Sequence, residues 1–484
     1  MTDSVVNSRT INRSGLIPNA YHAKFATQRN GYARERPINP KKSCVDQGTT
    51  ALARADSAKQ TMQTAARTSG MDAMGPSLGM AFRLRRLEVQ SELAHLISDQ
   101  PGIGRADVAR ITGMARSTVS DHIQPLLDTG LFSEQKARYA GRGRPSLGLT
   151  LNARAGIILV ADIGITHVRL VVTDLARQKL AEDALPPDYS VPPETMLERI
   201  ASRFQELFQT QQLVDIPLRA MVVGIPSPVD FEKGVPVRPP IMPGWDGFPV
   251  GEWLEKRMHV TVLVDNDVNL MALGEARSRP PSESPLIFIK VASGIGCGII
   301  TQGGALHRGA DGDAGDIGHI RVAQASGLTC VCGNTGCIEA VASVPSIMRQ
   351  IRVAKGDETI ELPELGVLVS SGDITAIRLV REASAQIGEV VATLVNMFNP
   401  ACIVLGGKLA HMSDDLLSGV RAAVYRRAPP LATRRLSIES ARAGRDAGII
   451  GGIALGVDSA LSAHGLQKLQ EATPGTAGGV GMAD

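Results

Sequence analysis

The stretch from Gly309 to Glu339 reads GADGDAGDIGHIRVAQASGLTCVCGNTGCIE. It places Cys330, Cys332 and Cys337 within eight residues, and His319 eleven residues before the first of them. Three thiols and one imidazole are the donor set of a closed, four-coordinate structural zinc site. Gly333 and Gly336 let a short loop fold back so that the sulfurs converge on one point. Redox thiols or half of a disulfide set are the other uses of such a cluster, but Cys-plus-His groups in chains without a secretion signal read as metal. The neighbouring Asp316 and Glu339 are hard oxygen donors, unsuited to a soft site already filled. They read as acceptors for hydroxyl groups on something bound beside the metal. Zinc pins a loop, and the loop presents carboxylates.

A chain of 484 residues has room for two or three domains of about 150 residues each. Aromatic residues make up only 3% of it, which argues against pre-formed surfaces for stacking bases. No apolar N-terminal run reads as a signal peptide and no span is long enough for a bilayer, so the expectation is a cytoplasmic protein without membrane contact, whose thiols stay reduced. The net charge of +3 conceals a polarity. Residues 1–155 hold 22 Lys+Arg against 12 Asp+Glu, a balance of +10; the remainder holds 51−22 = 29 against 48−12 = 36, a balance of −7. A basic front on an acidic body is the distribution expected when only the front meets a polyanion.

Residues 1–80 are rich in Ser, Thr, Asn, Gln, Ala and Arg without a sustained apolar period, and read as a disordered basic extension. Residues 82–140 read as a DNA-binding domain. Leu84, Leu87, Leu93, Leu96 and Ile97 mark a first helix ended by Pro101-Gly102. RADVARITG gives a short second helix with Val108, Ala109 and Ile111 inward, ended by Gly113. RSTVSDHIQPLLDTGLF gives a third, with Val119, Ile123, Leu126 and Leu127 on one face and a kink expected at Pro125. Two short helices joined by a tight glycine turn, the second led by small polar and basic residues, form a helix-turn-helix layout. In it Arg116, Ser117, Thr118, Ser120 and His122 face the major groove. A small structural helical bundle would share this pattern. The basic stretch that follows, with Arg142-Gly143-Arg144-Pro145, favours DNA: a wing presents arginines to phosphate, and an extended RGRP lies in a narrow minor groove. Residues 141–154 read as the linker carrying it.

Residues 155–460 alternate β-branched strands with helical patterns, an α/β body with strands enough for two sheets. Three strand ends carry glycines suited to a nucleotide, the first two to its phosphates and the third to its base or ribose. Asp162, Gly164 and Thr166 lie in a hairpin turn, where Asp162 could hold a hydrated divalent cation. Ser293, Gly294 and Gly296 form a second glycine-rich hairpin, and Gly406-Gly407 ends the strand CIVL. At the end of VTVLVDND, Asn266-Asp267 has two readings. Asp267 could take a proton from a substrate hydroxyl during phosphoryl transfer, with Asn266 bonding neighbouring hydroxyls; or the pair is an Asx turn capping the next helix. Residues 461–484 read as a flexible tail.

Taken in order over residues 82–460, the DxGxT hairpin, the ND pair, GDIGH, CVCGNTGC and the VLGG strand resemble the ROK family (repressors, open reading frames, kinases), specifically its winged helix-turn-helix regulators. The resemblance implies an α/β, actin-like and hexokinase-like two-lobed body preceded by an α+β winged helix-turn-helix domain. It implies His319, Cys330, Cys332 and Cys337 as ligands of a structural Zn2+. It also implies a sugar pocket lined by Asn266, Asp267, Asp316, His319 and Glu339, with Asp267 in the place of the kinase base. The phosphate side departs from the kinases. They read DIGGTK where this chain has Ile165 and His167, and they carry glycine where it has Ser227 and Cys297; Asp316 stands where glutamate is more usual. A β-branched Ile165 would crowd a phosphate approaching the backbone. The function implied is a sugar-responsive transcriptional repressor that binds operator DNA as a homo-oligomer, a dimer or tetramer, with vestigial nucleotide turns. The alternative is an ATP- and Mg2+-dependent sugar kinase that has kept a DNA-binding front.

Overall fold

The computed structural model describes residues 76–136, 147–361 and 364–472. Of the extension expected over residues 1–80, residues 76–80 instead begin the first helix, and 1–75 lie outside the described residues, as do Arg142 and Arg144. The strands are β1 Phe132–Lys136, β2 Leu147–Leu151, β3 Ile157–Ile163, β4 Val168–Asp174, β5 Lys179–Leu185, β6 Leu218–Ile225, β7 Val229–Asp230, β8 Val235–Pro236, β9 Val262–Asn266, β10 Leu286–Val291, β11 Ile295–Ile300, β12 Leu306–His307, β13 Cys402–Gly406 and β14 Ser437–Ser440. The helices longer than about one turn are α1 Pro76–Asp99, α2 Arg105–Thr112, α3 Arg116–Asp128, α4 Pro193–Thr210, α5 Val250–Met258, α6 Asp267–Arg277, α7 Val344–Lys355, α8 Glu364–Ser370, α9 Ile374–Phe398, α10 Asp415–Arg427, α11 Ala447–Leu461 and α12 Ala463–Ala472.

Two five-stranded sheets carry the body, and they share one plan. The first runs β5-β4-β3-β6-β9 and the second β12-β11-β10-β13-β14. In each, three antiparallel strands lead into two parallel ones reached through helices. Parallel strands need crossovers and are buried on both faces, which is why β3, β6 and β13 are runs of Val, Ile and Leu. This is the duplicated α/β plan of an actin-like, hexokinase-like body. The lobes meet where α6 crosses α11. Gly274 and Gly451 let the two backbones touch: a methyl carbon at Gly451 would stand 2.7 Å from the Leu270 carbonyl carbon, and one at Gly274 2.8 Å from the Gly451 nitrogen. Asp267 begins α6, so this crossing lies directly behind the candidate site.

At the front, α2 and α3 are joined by Gly113-Met114-Ala115. Gly113 takes the left-handed conformation (φ 70°) that ends α2, which glycine adopts without strain. Val108, Val119, Ile123 and Leu126 are fully buried. Strands β1 and β2 pair as a wing, and Leu149 pairs further with Ile103 ahead of α2. Arg105 Nε donates to Glu134 Oε1 at 2.6 Å, locking α2 to the wing. The second wing strand is therefore Leu147–Leu151, inside the stretch expected as linker. Ile111, expected inward, is 47% exposed, and Leu84 of α1 is 45% exposed. Helix α3 runs on through Pro125 to Asp128.

The C-terminal residues also correct an expectation. Residues 463–472 form α12 rather than a tail, with Leu466 and Leu469 buried. This helix packs on α1: Gln470 Nε2 donates to Gln90 Oε1 at 3.0 Å, and Ser91 donates to the Leu461 carbonyl at 2.8 Å. One apolar cluster runs from Leu87, Leu93 and Ile97 through Leu466 to Val457, Ile453 and Val160. Head and body thus share a core. Among the described residues, no single helix is long and apolar enough to cross a membrane.

Candidate functional site

The cysteine loop has the geometry of a metal site. The four donor atoms of His319, Cys330, Cys332 and Cys337 all lie within 4.8 Å of one another. Cys330 Sγ is 3.6 Å from His319 Nδ1, and Cys332 Sγ is 3.8 Å from Cys337 Sγ. A tetrahedral zinc with its usual bond lengths holds S and N about 3.5 Å apart and two sulfurs about 3.8 Å apart. A disulfide would hold sulfurs at about 2 Å. The donor set and its spacing therefore fit a metal such as zinc. Gly333 and Gly336 take positive φ (87° and 91°), as the fold-back requires. With Nδ1 turned to Cys330, the other ring nitrogen of His319 lies 3.7 Å from Asp316 Oδ2. A carboxylate behind a ligating histidine is the usual device for fixing its orientation.

Three carboxylates gather around the β10–β11 hairpin. Glu339 Oε2 accepts from the Ile295 N–H at 2.9 Å. Gly315, beside Asp316, accepts from the Cys297 N–H at 2.8 Å. Asp267 is ion-paired with Lys290, whose side chain is 16% exposed against 11% for the aspartate. Burial pushes the Asp316 carboxyl up, with His319 opposing. Asn266 caps α6: its Oδ1 accepts from the Val268 N–H at 2.8 Å, and its Nδ2 donates to the Ser227 carbonyl at 2.8 Å. The pair thus caps α6, which is one of its two readings. Lys290 was missed at the sequence level, although one lysine in the otherwise apolar run LIFIKV was a signal.

The phosphate-type turns are filled by the chain itself. β3 and β4 form the hairpin expected around Gly164. The ring of His167 lies over Gly164, where a methyl carbon would stand 2.9 Å from both ring nitrogens, and it approaches Asp162 to 3.7 Å. Thr166 Oγ1 lies 3.5 Å from His167 Nδ1. Tyr189 comes in from the loop after β5 and donates its hydroxyl proton to the Gly164 carbonyl at 2.8 Å. Burial and the nearby Asp267 and Asp162 carboxylates push the Tyr189 hydroxyl up, so it stays a donor. No local pattern marked Tyr189, which sits among prolines in PPDYSVPP.

The second hairpin differs from expectation. Its turn is Ala292-Ser293-Gly294, and Gly294 faces the Glu339 carboxylate, 2.7 Å from where a methyl carbon would be. Gly296 lies within β11 against Val268 of α6, so its lack of a side chain serves packing rather than a phosphate. At the end of β13, Gly406 lies against the Phe288 ring and Gly407 (φ 86°) against the Val291 backbone.

Between the lobes, Arg308, from beyond β12, reaches the buried Asp265 of β9 at 2.6 Å and 3.0 Å. Its guanidinium also lies 3.7 Å above the Phe231 ring. Asn269 Nδ2 and the Asn266 backbone N–H donate to Asp265 Oδ1 at 2.9 Å and 2.8 Å.

On α3, Arg116, Ser117 and Thr118 are exposed and Ser120 is partly so. His122 departs from the expected groove-facing set. Its Nδ1 is buried with no partner among the described residues, and burial, helped by Arg86, pushes its pKa down. Three residues after Val119 on a helix lies the inner edge of the apolar face, so His122 turns towards α1.

The chain is 28% identical over 388 residues to the DNA-binding transcriptional repressor Mlc of Escherichia coli (strain K12), covering 77% of this chain and 93% of that protein. It is 29% identical over 305 residues to a glucokinase of Halalkalibacterium halodurans, covering 60% of this chain and 92% of that one. A crystal structure of a ROK family transcriptional regulator, a homologue of the E. coli MLC protein, shares the fold with a TM-score of 0.70 at 23% identity, over 80% of this chain and all of that one. Residues 158–458, more than half of the chain, match the ROK family, and the chain belongs to it.

Proposed function

We propose that this protein is a sugar-responsive DNA-binding transcriptional repressor rather than a kinase. The observation that carries the reading is the phosphate hairpin: the His167 ring lies over Gly164, where a nucleotide phosphate would approach, and Tyr189 holds the Gly164 carbonyl. The ion pair of Asp267 with Lys290 adds to it, because a base that must take a hydroxyl proton is here held by a cation.

In this reading a sugar or sugar derivative binds Asn266, Asp267, Asp316, His319 and Glu339. Structural zinc on His319, Cys330, Cys332 and Cys337 holds the loop that carries three of them. The exposed Arg116, Ser117 and Thr118, with Ser120, meet operator DNA from α3, and Arg142 and Arg144, which fall between β1 and β2 in the sequence, add contacts to it. The protein works as a homo-oligomer on paired half-sites. Sugar bound at the start of α6 is felt where α6 crosses α11. Helices α11 and α12 carry the displacement to α1 through the shared core. Sugar and operator then oppose each other by one reciprocal coupling energy.

A thermal-shift titration against a panel of sugars, with and without Mg-ATP, tests this, since a ligand of the native state raises the midpoint. A shift with one sugar, none with Mg-ATP, and release of a labelled operator by that sugar is the expected result. ADP release on adding sugar and Mg-ATP would overturn the reading in favour of a kinase.

A further inference from the structure

A cavity of about 480 Å3 lies away from the sugar cleft, at the joint between head and body. Its walls come from three parts of the molecule: Leu131 at the head's wing, the start of β6 with the α5–β9 turn, and helices α11 and α12. Its charged lining is unbalanced. Arg219 and Lys468 face it against one acid, Glu255, and His259 and His464 complete its polar lining. Glu255 already accepts the Val262 N–H at 3.1 Å.

Neither permanent cation has a carboxylate partner among the described residues. Arg219 donates through Nε and Nη2 to the Ala155 carbonyl, at 2.8 Å and 2.6 Å, and lies flat over Gly156. Lys468 donates to Thr261 Oγ1 at 2.8 Å. By contrast the buried Arg279 is matched by Glu275, Glu283 and Glu439. Burial pushes the Arg219 guanidinium down, with no carboxylate among the described residues to oppose it. A planar fork and an ammonium lining one pocket are the donors that recognise a phosphate or carboxylate group.

We propose that this cavity is a second ligand site, which takes a small anionic metabolite through a phosphate or carboxylate group held by Arg219 and Lys468. Its position gives it leverage on the head. Ala155 ends the short Ala153–Ala155 helix that joins β2 of the wing to β3 of the body, so an anion competes with that carbonyl for Arg219. Lys468 lies on α12, whose other face is bonded to α1. The site thus bears on head orientation without passing through the sugar cleft.

The test is a thermal-shift titration of the full chain with inorganic phosphate and, separately, with citrate, each against chloride at matched ionic strength. At least one of the two raises the midpoint of the wild type. Lys468→Gln weakens that response about tenfold, the loss of one charge-assisted hydrogen bond. The exposed Lys468 leaves the fold intact when changed, and the response to the cognate sugar is retained. Arg219→Gln gives the same loss and, by freeing Ala155, loosens the wing-to-body connection. A response to phosphate alone identifies a phosphate ligand, and to citrate alone a carboxylate. No response to either, or an equal response in wild type and Lys468→Gln, overturns the proposal; the latter outcome places the anion on the basic head. Failure here leaves the sugar response standing, and loss of the sugar response leaves this site standing.

Discussion

Replacing Gly451 by alanine sets two effects of opposite sign against each other. In an unconstrained helix the change stabilises by about 1 kcal/mol, because glycine loses more backbone freedom on folding. At Gly451 the added methyl carbon would stand 2.7 Å from the Leu270 carbonyl carbon and 2.9 Å from the Gly274 nitrogen. These are backbone atoms of α6 and cannot swing aside as a flexible side chain would. Overpacking of this kind costs about 1–3 kcal/mol, and with backbone on the far side the upper end applies. The net expectation is a loss of about 2 kcal/mol, or roughly 5 °C in midpoint for a body of this size. Gly366 of α8 is the control: its methyl carbon would meet only Met412 Cγ at 3.7 Å, so Gly366→Ala should gain about 0.5–1 kcal/mol. Paired thermal and denaturant melts read both. Because α6 begins at Asp267, Gly451→Ala should also weaken the release of operator by sugar while leaving operator affinity itself unchanged. A Gly451→Ala protein as stable as the wild type, or more so, would refute the close crossing as the joint between the lobes.

Restoring the kinase hairpin with Ile165→Gly and His167→Lys uncovers Gly164, so Mg-ATP should raise the midpoint of that double variant and not of the wild type; a Mg-ATP shift in the wild type would count against the blocked hairpin. Arg308→Ala leaves Asp265, buried to 1% side-chain exposure, without its cation, and should cost about 3 kcal/mol in chemical denaturation, well beyond any surface pair. Cys337→Ser should lose bound zinc by elemental analysis and lose the sugar response, with operator affinity retained; full zinc content in that variant would remove Cys337 from the ligand set. Arg116→Ala, on the exposed start of α3, should weaken operator binding by about 1–3 kcal/mol in fluorescence anisotropy, whereas His122→Ala should act on head stability and leave operator contacts intact.

What the sequence determined by itself was local. The spacing of three cysteines and a histidine fixed a donor set, because loop length and ligand type act within a few residues. The β-branched runs located the principal strands of both sheets, and the glycine at 113 placed the turn between α2 and α3. Where a side chain's meaning depended on a neighbour distant in sequence, only the tertiary structure decided. Gly296 looks the same in sequence whether it cradles a phosphate or lies under α6, and β-sheet register chose the latter. Asp267 reads as a free base until β10 delivers Lys290 beside it. Gly164 reads as an open turn until Tyr189 arrives from beyond β5. His122 and Ile111 fit their helical periods, but which flank of each helix meets water depends on how α1, α2 and α3 lean on one another. The last helix, α12, is stabilised chiefly by the apolar face of α1 nearly 400 residues earlier. Short-range pattern specifies the pieces; burial and pairing between distant pieces decide which polar groups remain free to act.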